Sequence, residues 1–190
     1  MSDPGTQALN RLEALAVQMQ NQKRPPVHRW QPGEARDFDL RITRAGDWLY
    51  LGSPILRPRL VQVLSRVLIK EEDEFFLISP SEKLRIRVDD APFVAVELEQ
   101  TNPGPDQRLV FRTNVEDVVI AGPDHPIKVV EKNGTSEPAP YVRIREGLDA
   151  LISRAVFYEL VDIAQPTPGD ESVLGVISSG EMFLLGRTDV

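Results

Sequence analysis

The pattern of apolar and polar positions predicts an α+β chain of short strands and amphipathic helices. Alternation over 38–42, turn residues and an apolar run over 48–51 predict a β-hairpin. Apolar residues over 57–69 cover a wide face at helical spacing, which predicts a helix packed on a core. Runs at 75–78 and 84–88 predict two more strands. The order is β-β-α-β-β.

A similar order follows downstream. The composition predicts strands over 93–99, 108–112, 115–120, 127–130 and 141–144. Helical spacing then predicts a buried helix over 146–161, and two final strands lie at 173–177 and 182–185. Proline and glycine make 165–170 a loop by composition.

An internal repeat accounts for the similarity of the two halves. An offset of 88 residues aligns Arg57 with Arg145 and Leu60 with Leu148, and an offset of 99 aligns the segments SPSEK and SSGEM. The difference is an 11-residue insertion at the 165–170 loop. We therefore predict two repeated α+β units with mostly antiparallel sheets and one packed helix each, at residues 27–92 and 93–190.

Residues 1–26 are predicted to be separate from both units. Apolar residues recur at spacings of three and four over Thr6–Asn21, which predicts an amphipathic helix, and Lys23–Pro26 cannot continue it because of its prolines. This helix packs on its own chain in one interpretation and docks on a protein partner in the other.

Composition narrows the class of protein. The chain has 190 residues, no cysteine and a formal net charge of -7, which excludes disulfides and thiolate chemistry. Residues 1–70 carry a net +5 (11 Lys+Arg, 6 Asp+Glu) and residues 71–190 a net -12 (11 and 23). No signal peptide or membrane-length apolar run occurs, so we expect a cytoplasmic protein without a membrane partner.

Motifs for catalysis and cofactors are missing from the sequence. There is no GxxxxGK[ST], GxGxxG, GxSxG or HExxH pattern, and two histidines are too few for a typical zinc site. We therefore expect no metal, and the acidity argues against a nucleic-acid partner. Asp90 or Glu82 acting as acid or base on a phosphorylated substrate leaves a hydrolase as an alternative.

Taken one at a time, the candidate residues are weak evidence for a ligand site. Two arginines at equivalent positions of the repeat are stronger evidence. Arg41 alone is compatible with a solvated arginine, Glu82–Lys83 with a turn pair, and His125 with a turn residue. Arg57 and Arg145, however, are equivalent in the predicted repeat, and a guanidinium suits phosphate or carboxylate. If the units face each other, repeated positions would line a cleft between them, which is a preferred place for ligands.

Several segments resemble a known bacterial family, the domain-of-unknown-function family 1285, from about Pro26 to the C-terminus. The segments that carry the resemblance are DLRI, WLYLGSPI, SPSEK, Val88–Val96, Phe111–Asn114, Asp124–Ile127 and Pro140–Leu148. The turn at Ile177–Ser179 departs from the aromatic turn expected in the family. The resemblance implies two repeated units, the second pleckstrin-homology-like, a ligand cleft at their interface, a nucleotide-like ligand and a role in signal transduction.

The leading hypothesis is a non-enzymatic protein that binds a small anionic, nucleotide-like ligand between the units. Charge would come from Arg41, Lys83 and Arg145, stacking from Trp48 and Tyr141, and hydrogen bonds from Asn114 or Asp90. The full set of candidate ligand-binding residues, carried over from the family pattern, is Arg41, Trp48, Tyr50, Glu82, Lys83, Asp90, Asn114, His125, Tyr141 and Arg145. The first alternative is a protein-interaction module.

Overall fold

Fifteen short strands and two α-helices make up most of the part of the chain that the structure describes, residues 25–131 and 138–187 of a computed structural model. The predicted α+β class is therefore correct only in part, because the fold is mostly β. The chain divides into two units, which meet in sequence between Asp89 and Asp90. The helix predicted over 6–21 lies outside the described residues.

The first unit is a six-stranded sheet with one helix. The sheet has the order β3-β2-β1-β6-β5-β4; its pairs are antiparallel except β1 with β6, which run parallel. A short 3-10 turn at Val27–Arg29 precedes it. The elements are β1 Arg36–Ile42, β2 Trp48–Tyr50, β3 Ser53–Pro54, α1 Pro58–Arg66, β4 Leu68–Glu71, β5 Glu74–Ile78 and β6 Lys83–Val88.

Helix α1 is shorter than the apolar pattern predicts. It begins at Pro58, where a proline costs nothing because the first helical N–H has no partner in the helix. It buries Leu60, Val63 and Leu64. The chain leaves the helix at Val67, and Leu68 already belongs to β4. The apolar residues at the predicted end of the helix are therefore sheet residues.

The second unit contains two sheets and one helix. One sheet has the order β10-β11-β12-β7-β8-β9, with β12 and β7 parallel, and the other has the order β13-β14-β15. The elements are β7 Phe93–Thr101, β8 Arg108–Thr113, β9 Val118–Ile120, β10 Ile127–Glu131, β11 Pro138–Arg145, β12 Leu148–Ile152, α2 Arg154–Asp162, β13 Gln165–Thr167, β14 Asp170–Ser178 and β15 Glu181–Arg187.

The helix predicted over 146–161 is wrong in its first half. Leu148, Ala150 and Ile152 are buried and alternate with Asp149 and Leu151, as in a strand, and β12 pairs with both β11 and β7. Helix α2 begins only after Ser153, whose side chain accepts a hydrogen bond from the Val156 N–H. The predicted loop at 165–170 also contains a strand, β13.

These boundaries overturn the repeat at an offset of 88. That offset aligns Leu60 of helix α1 with Leu148 of strand β12, and Arg145 lies at the end of β11 rather than at a helix start. At an offset of 99, the two aligned serine–glutamate segments both join antiparallel strands, β5 to β6 and β14 to β15. Each unit does contain a nine-residue helix followed by three strands.

Neither described helix is long and apolar enough to cross a membrane.

Candidate functional site

The charged candidates of the first unit are paired with carboxylates or an arginine of the same unit. Arg41 donates two hydrogen bonds to Asp89, from Nε to Oδ1 (2.8 Å) and from Nη2 to Oδ2 (2.7 Å). The ammonium of Lys83 contacts Glu71 and lies 4.4 Å from the centre of the Phe76 ring. Glu82 accepts a hydrogen bond of 2.6 Å from Arg36. These contacts give all three residues a structural role.

Of the two aromatic candidates of the first unit, Trp48 belongs to the core and Tyr50 is half-buried. Trp48 is only 3% exposed, and its indole Nε1 has no hydrogen-bond partner in the described part of the chain. The Tyr50 ring stacks on Phe38, with ring centres 5.3 Å apart. The Trp48 ring is therefore not open for stacking a base, and the Tyr50 ring already stacks on a residue of its own unit.

Three candidates of the second unit, Tyr141, Asp90 and Asn114, are hydrogen-bonded within that unit. The Tyr141 hydroxyl donates to Asp90 Oδ1 (2.7 Å). Asn114 Oδ1 accepts from the Val94 N–H (3.0 Å), and the Asn114 N–H donates to the Val94 carbonyl (2.9 Å). Asn114 therefore ties the loop after β8 to strand β7.

Arg145 is the most buried charged candidate. Its side chain is 11% exposed, its guanidinium lies 5.0 Å from the centre of the fully buried Phe93 ring, and Nη1 is 3.6 Å from Asp117 Oδ2. A cation over an aromatic face beside a carboxylate is a stabilising arrangement within a protein. Arg145 is therefore engaged inside the second unit, and its role as a ligand-binding cation stays a prediction.

A pocket of about 570 Å³ lies elsewhere in the second unit, where three loops meet. We call it the loop pocket. The loop between β7 and β8, the loop between β9 and β10, and the turn between β14 and β15 contribute most of its walls. Its lining residues are Asn102, Pro105, Asp106, Arg108, Ile120, Gly122, Pro123, Asp124, His125, Ser179 and Gly180.

Buried hydrogen bonds hold these loops together. Ser178 Oγ accepts from the Leu109 N–H (2.9 Å) and donates to the Ala121 carbonyl (2.7 Å). The Ser179 hydroxyl also donates to Ala121 (2.9 Å), and Gln107 Nε2 donates to the Ile177 carbonyl (2.7 Å). A Cβ atom added to Gly122 would lie 3.4 Å from Ser179 Cβ, so Gly122 and the Ser179 side chain lie next to each other. The pocket therefore has a rigid base.

Four polar side chains at the rim of the loop pocket are available to a ligand. Within the described ranges, the side chains of Asn102, Asp106, Arg108 and Asp124 form no hydrogen bond or ion pair. They provide one guanidinium, two carboxylates and one amide. His125 Nδ1 lies 2.9 Å from the Arg143 carbonyl and must donate to it, which leaves Nε2 of a neutral ring as an acceptor.

Of the ten candidates from the sequence, His125 is the one that lines this pocket. By composition, residues 102–106 predict a loop and Ser178–Glu181 a tight turn, but nothing in the sequence connects the two segments. Arg108, Asp106 and Asp124 were missed because the three loops are far apart in the chain. Only a contact map or a structure could have brought them together.

Comparisons with known proteins identify the family. Residues 25–91 match the model "Domain of unknown function (DUF1285), N-terminal domain", and residues 92–185 match "Protein of unknown function (DUF1285), C-terminal domain". No curated protein matches the chain.

Two solved structures are similar to this chain. A DUF1285 family protein from Silicibacter pomeroyi DSS-3 is 44% identical, with a TM-score of 0.83 over 94% of this chain and 96% of that one. A DUF1285 family protein from Shewanella baltica OS155 is 27% identical, with a TM-score of 0.52 over 65% of this chain and 91% of that one. The chain therefore belongs to the DUF1285 family.

Proposed function

We propose that the protein binds a small polar ligand with one anionic group in the loop pocket of its second unit. The observation that carries this proposal is the contrast between two sets of side chains. Arg41, Lys83 and Arg145 are paired with carboxylates of their own unit. By contrast, the side chains of Arg108, Asn102, Asp106 and Asp124 line a pocket large enough for a small ligand and have no hydrogen-bond or ion-pair partner in the described residues.

The lining chemistry narrows the ligand class. The fork of the Arg108 guanidinium suits a phosphate or carboxylate group. The carboxylates of Asp106 and Asp124 suit hydroxyl groups, as acidic residues do when they bind a ribose. The pocket has one cation, Arg108, and two carboxylates, so the negative charges of a polyphosphate would be repelled by Asp106 and Asp124. A nucleoside monophosphate or a sugar monophosphate fits this balance better than a nucleoside triphosphate.

Binding fits the pocket better than hydrolysis. Ser179, His125 and Asp124 all line the pocket, but they do not form a nucleophile–base pair. The Ser179 hydroxyl donates to the Ala121 carbonyl, and His125 Nδ1 faces the Arg143 carbonyl rather than Asp124. A triad needs the hydroxyl bonded to the imidazole and the imidazole bonded to the acid. A non-enzymatic ligand-binding role, as in signal transduction, follows from our proposal; a pleckstrin-homology-like second unit stays a prediction.

A thermal-shift screen with matched variants tests the proposal. AMP, ATP, glucose 6-phosphate and inorganic phosphate would be added to the full-length protein, since a ligand at 100 times its Kd adds about 2.7 kcal/mol of stability. We expect a monophosphate to raise Tm more than ATP does, and Arg108→Gln to remove the shift. Arg59→Gln, an exposed arginine on α1 of the other unit, should leave it unchanged. A flat screen, or a shift that survives Arg108→Gln, would refute the proposal.

A further inference from the structure

The imidazole of His125 is fixed on one side and open on the other. Its Nδ1 donates to the Arg143 carbonyl (2.9 Å), so strand β11 holds the ring in place. In the described ranges Nε2 has no hydrogen-bond partner, and the residue lines the loop pocket. An imidazole nitrogen of this kind accepts a hydrogen bond when the ring is neutral and donates one when the ring is protonated. His125 can therefore change the charge of the pocket by one unit.

The pairing of strands β8 and β9 places Gly122 opposite Arg108. The last pair of the ladder is Val110 with Ile120, and one further backbone hydrogen bond (2.9 Å) continues the same register past the end of β9. The next position in this register joins Arg108 and Gly122. Residues that lie opposite each other in an antiparallel pair share one face, and Gly122 adds no side chain to it.

The turn after β9 brings His125 next to the other side of Gly122. The two residues exchange backbone hydrogen bonds of 3.1 and 3.2 Å, so they also lie opposite each other. Arg108 and His125 therefore flank the glycine on one face, with their backbones about 10 Å apart, which is two strand spacings. Both residues line the loop pocket.

The other charges around this imidazole are few. The charged residues that line the pocket beside it come from β8 and two loops: Arg108, Asp106 and Asp124. The turn between β14 and β15 adds no charged residue to the lining. On β11, the Arg143 carbonyl contacts the ring, and the Arg143 guanidinium is bound to Asp149. One cation and two carboxylates give the lining a net charge of -1 with a neutral imidazole and of zero with an imidazolium.

We propose that the loop pocket takes up a proton at His125 when it binds its anionic ligand. This inference rests on the function proposed above and concerns the regulation of that same site. A phosphate held over Gly122 receives hydrogen bonds from Arg108 on one side and from Nε2 of the imidazolium on the other. The proton comes from the solvent and adds to Nε2, because a nearby anion favours the charged form of an imidazole. The affinity for a monophosphate therefore rises as the pH falls from 8 to 6.

NMR provides a direct test with the full-length protein, because the chain contains only two histidines. The pH titration of both ring signals would be recorded without ligand, with AMP and with glucose 6-phosphate. His28→Gln, at an exposed position of the first unit, leaves one imidazole and so assigns the signals. We expect a bound ligand to move the titration of His125 to higher pH by about one unit, which corresponds to a tenfold coupling. The titration of His28 should not move, and Arg108→Gln should remove the shift of His125.

Affinities at two pH values provide a second test. Calorimetry would measure the Kd of AMP at pH 8 and pH 6 for the unchanged protein, for His28→Gln and for His125→Asn, whose amide can keep the hydrogen bond to the Arg143 carbonyl. The phosphate of AMP itself gains a proton near pH 6, but this change is common to all three proteins. We expect the ratio of the two Kd values to be about fivefold larger in the unchanged protein and in His28→Gln than in His125→Asn.

The outcomes separate this inference from the function on which it rests. Binding of AMP or glucose 6-phosphate that Arg108→Gln removes, without an upward shift of the His125 titration, would overturn the proton uptake and leave the ligand site in place. Equal shifts of His28 and His125, or equal Kd ratios in all three proteins, would also overturn it. A failure of both ligands to bind would overturn the ligand site and the proton uptake together.

Discussion

At the scale of single residues, the side chains that look most suited to ligands make contacts inside their own unit. Arg145 lies over the Phe93 ring and beside Asp117, and Tyr141 and Asn114 make hydrogen bonds inside the second unit. Arginine, aromatic and amide side chains have the same properties in a core as in a site: forked donors, a π face and paired donor and acceptor groups. Residue type alone therefore could not separate the two roles.

The role of Arg145 can be tested by removing its charge. Arg145→Gln should destabilise the protein by about 2–3 kcal/mol, because it removes the cation over Phe93 and leaves the largely buried Asp117 carboxylate without this partner. Urea unfolding would measure the change. Arg87→Gln is the control, because Arg87 is 71% exposed in its pair with Asp39, and a surface pair of this kind contributes little. Equal midpoints for both variants would contradict the structural role of Arg145.

At the scale of elements, a ladder of three ion pairs follows the register of the parallel strands β1 and β6, which the buried apolar side chains of these strands fix. Asp37 pairs with Arg85, Asp39 with Arg87 and Arg41 with Asp89, each across 48 residues of sequence. Shifting one strand by one residue would move every charged side chain to the other face. The pattern of charges in DFDLR and RIRVD is visible in the sequence, but its complementarity becomes apparent only when the two strands are paired.

This ladder makes a prediction about pH. The hydrogen bonds from Arg41 hold the pKa of the Asp89 carboxyl below its ordinary value. The stabilisation is thus complete above the unfolded-state pKa and is lost as the pH falls through the lower, folded-state value. In an NMR titration, Arg41→Gln should raise the pKa of Asp89 toward its ordinary value, and Arg59→Gln should not. An unchanged Asp89 titration in Arg41→Gln would refute this assignment.

The wrong helix at 146–161 shows where pattern analysis fails for an element. Leu148, Leu151 and Ile152 fit helical spacing, while Leu148, Ala150 and Ile152 fit the alternation of a strand. Five residues are too few to decide between the two periods. The strand forms because it pairs on one side with β11, from which a turn separates it, and on the other side with β7, which is distant in the chain.

At the scale of the whole molecule, both six-stranded sheets have one parallel pair of strands at their centre, β1 with β6 in the first unit and β12 with β7 in the second. In the second unit, β13–β15 form a separate sheet that is joined to the larger one through Ser178 and Gln107. The loop pocket is a consequence of this junction, since Ser179 and Gly180 follow directly after it.

Ser178 is therefore expected to hold the second unit together. Ser178→Ala leaves the fully buried Leu109 N–H without its hydrogen bond, which should cost about 1–3 kcal/mol. Amide hydrogen exchange should show faster exchange at Leu109 and along β14 and β15. Ser81→Ala, at an exposed turn of the first unit, is the control and should change neither stability nor exchange. Unchanged protection at Leu109 would contradict the proposed junction.

The sequence by itself determined the family, most of the strands and the helix α1, because alternation, turn residues and long shared motifs act over a few neighbouring positions. The tertiary structure decided the strand β12, the pairing of Arg41, Lys83 and Arg145 with carboxylates, and the meeting of three loops around Arg108. Each of these depends on contacts between residues far apart in the chain, and those contacts form only when the backbone folds.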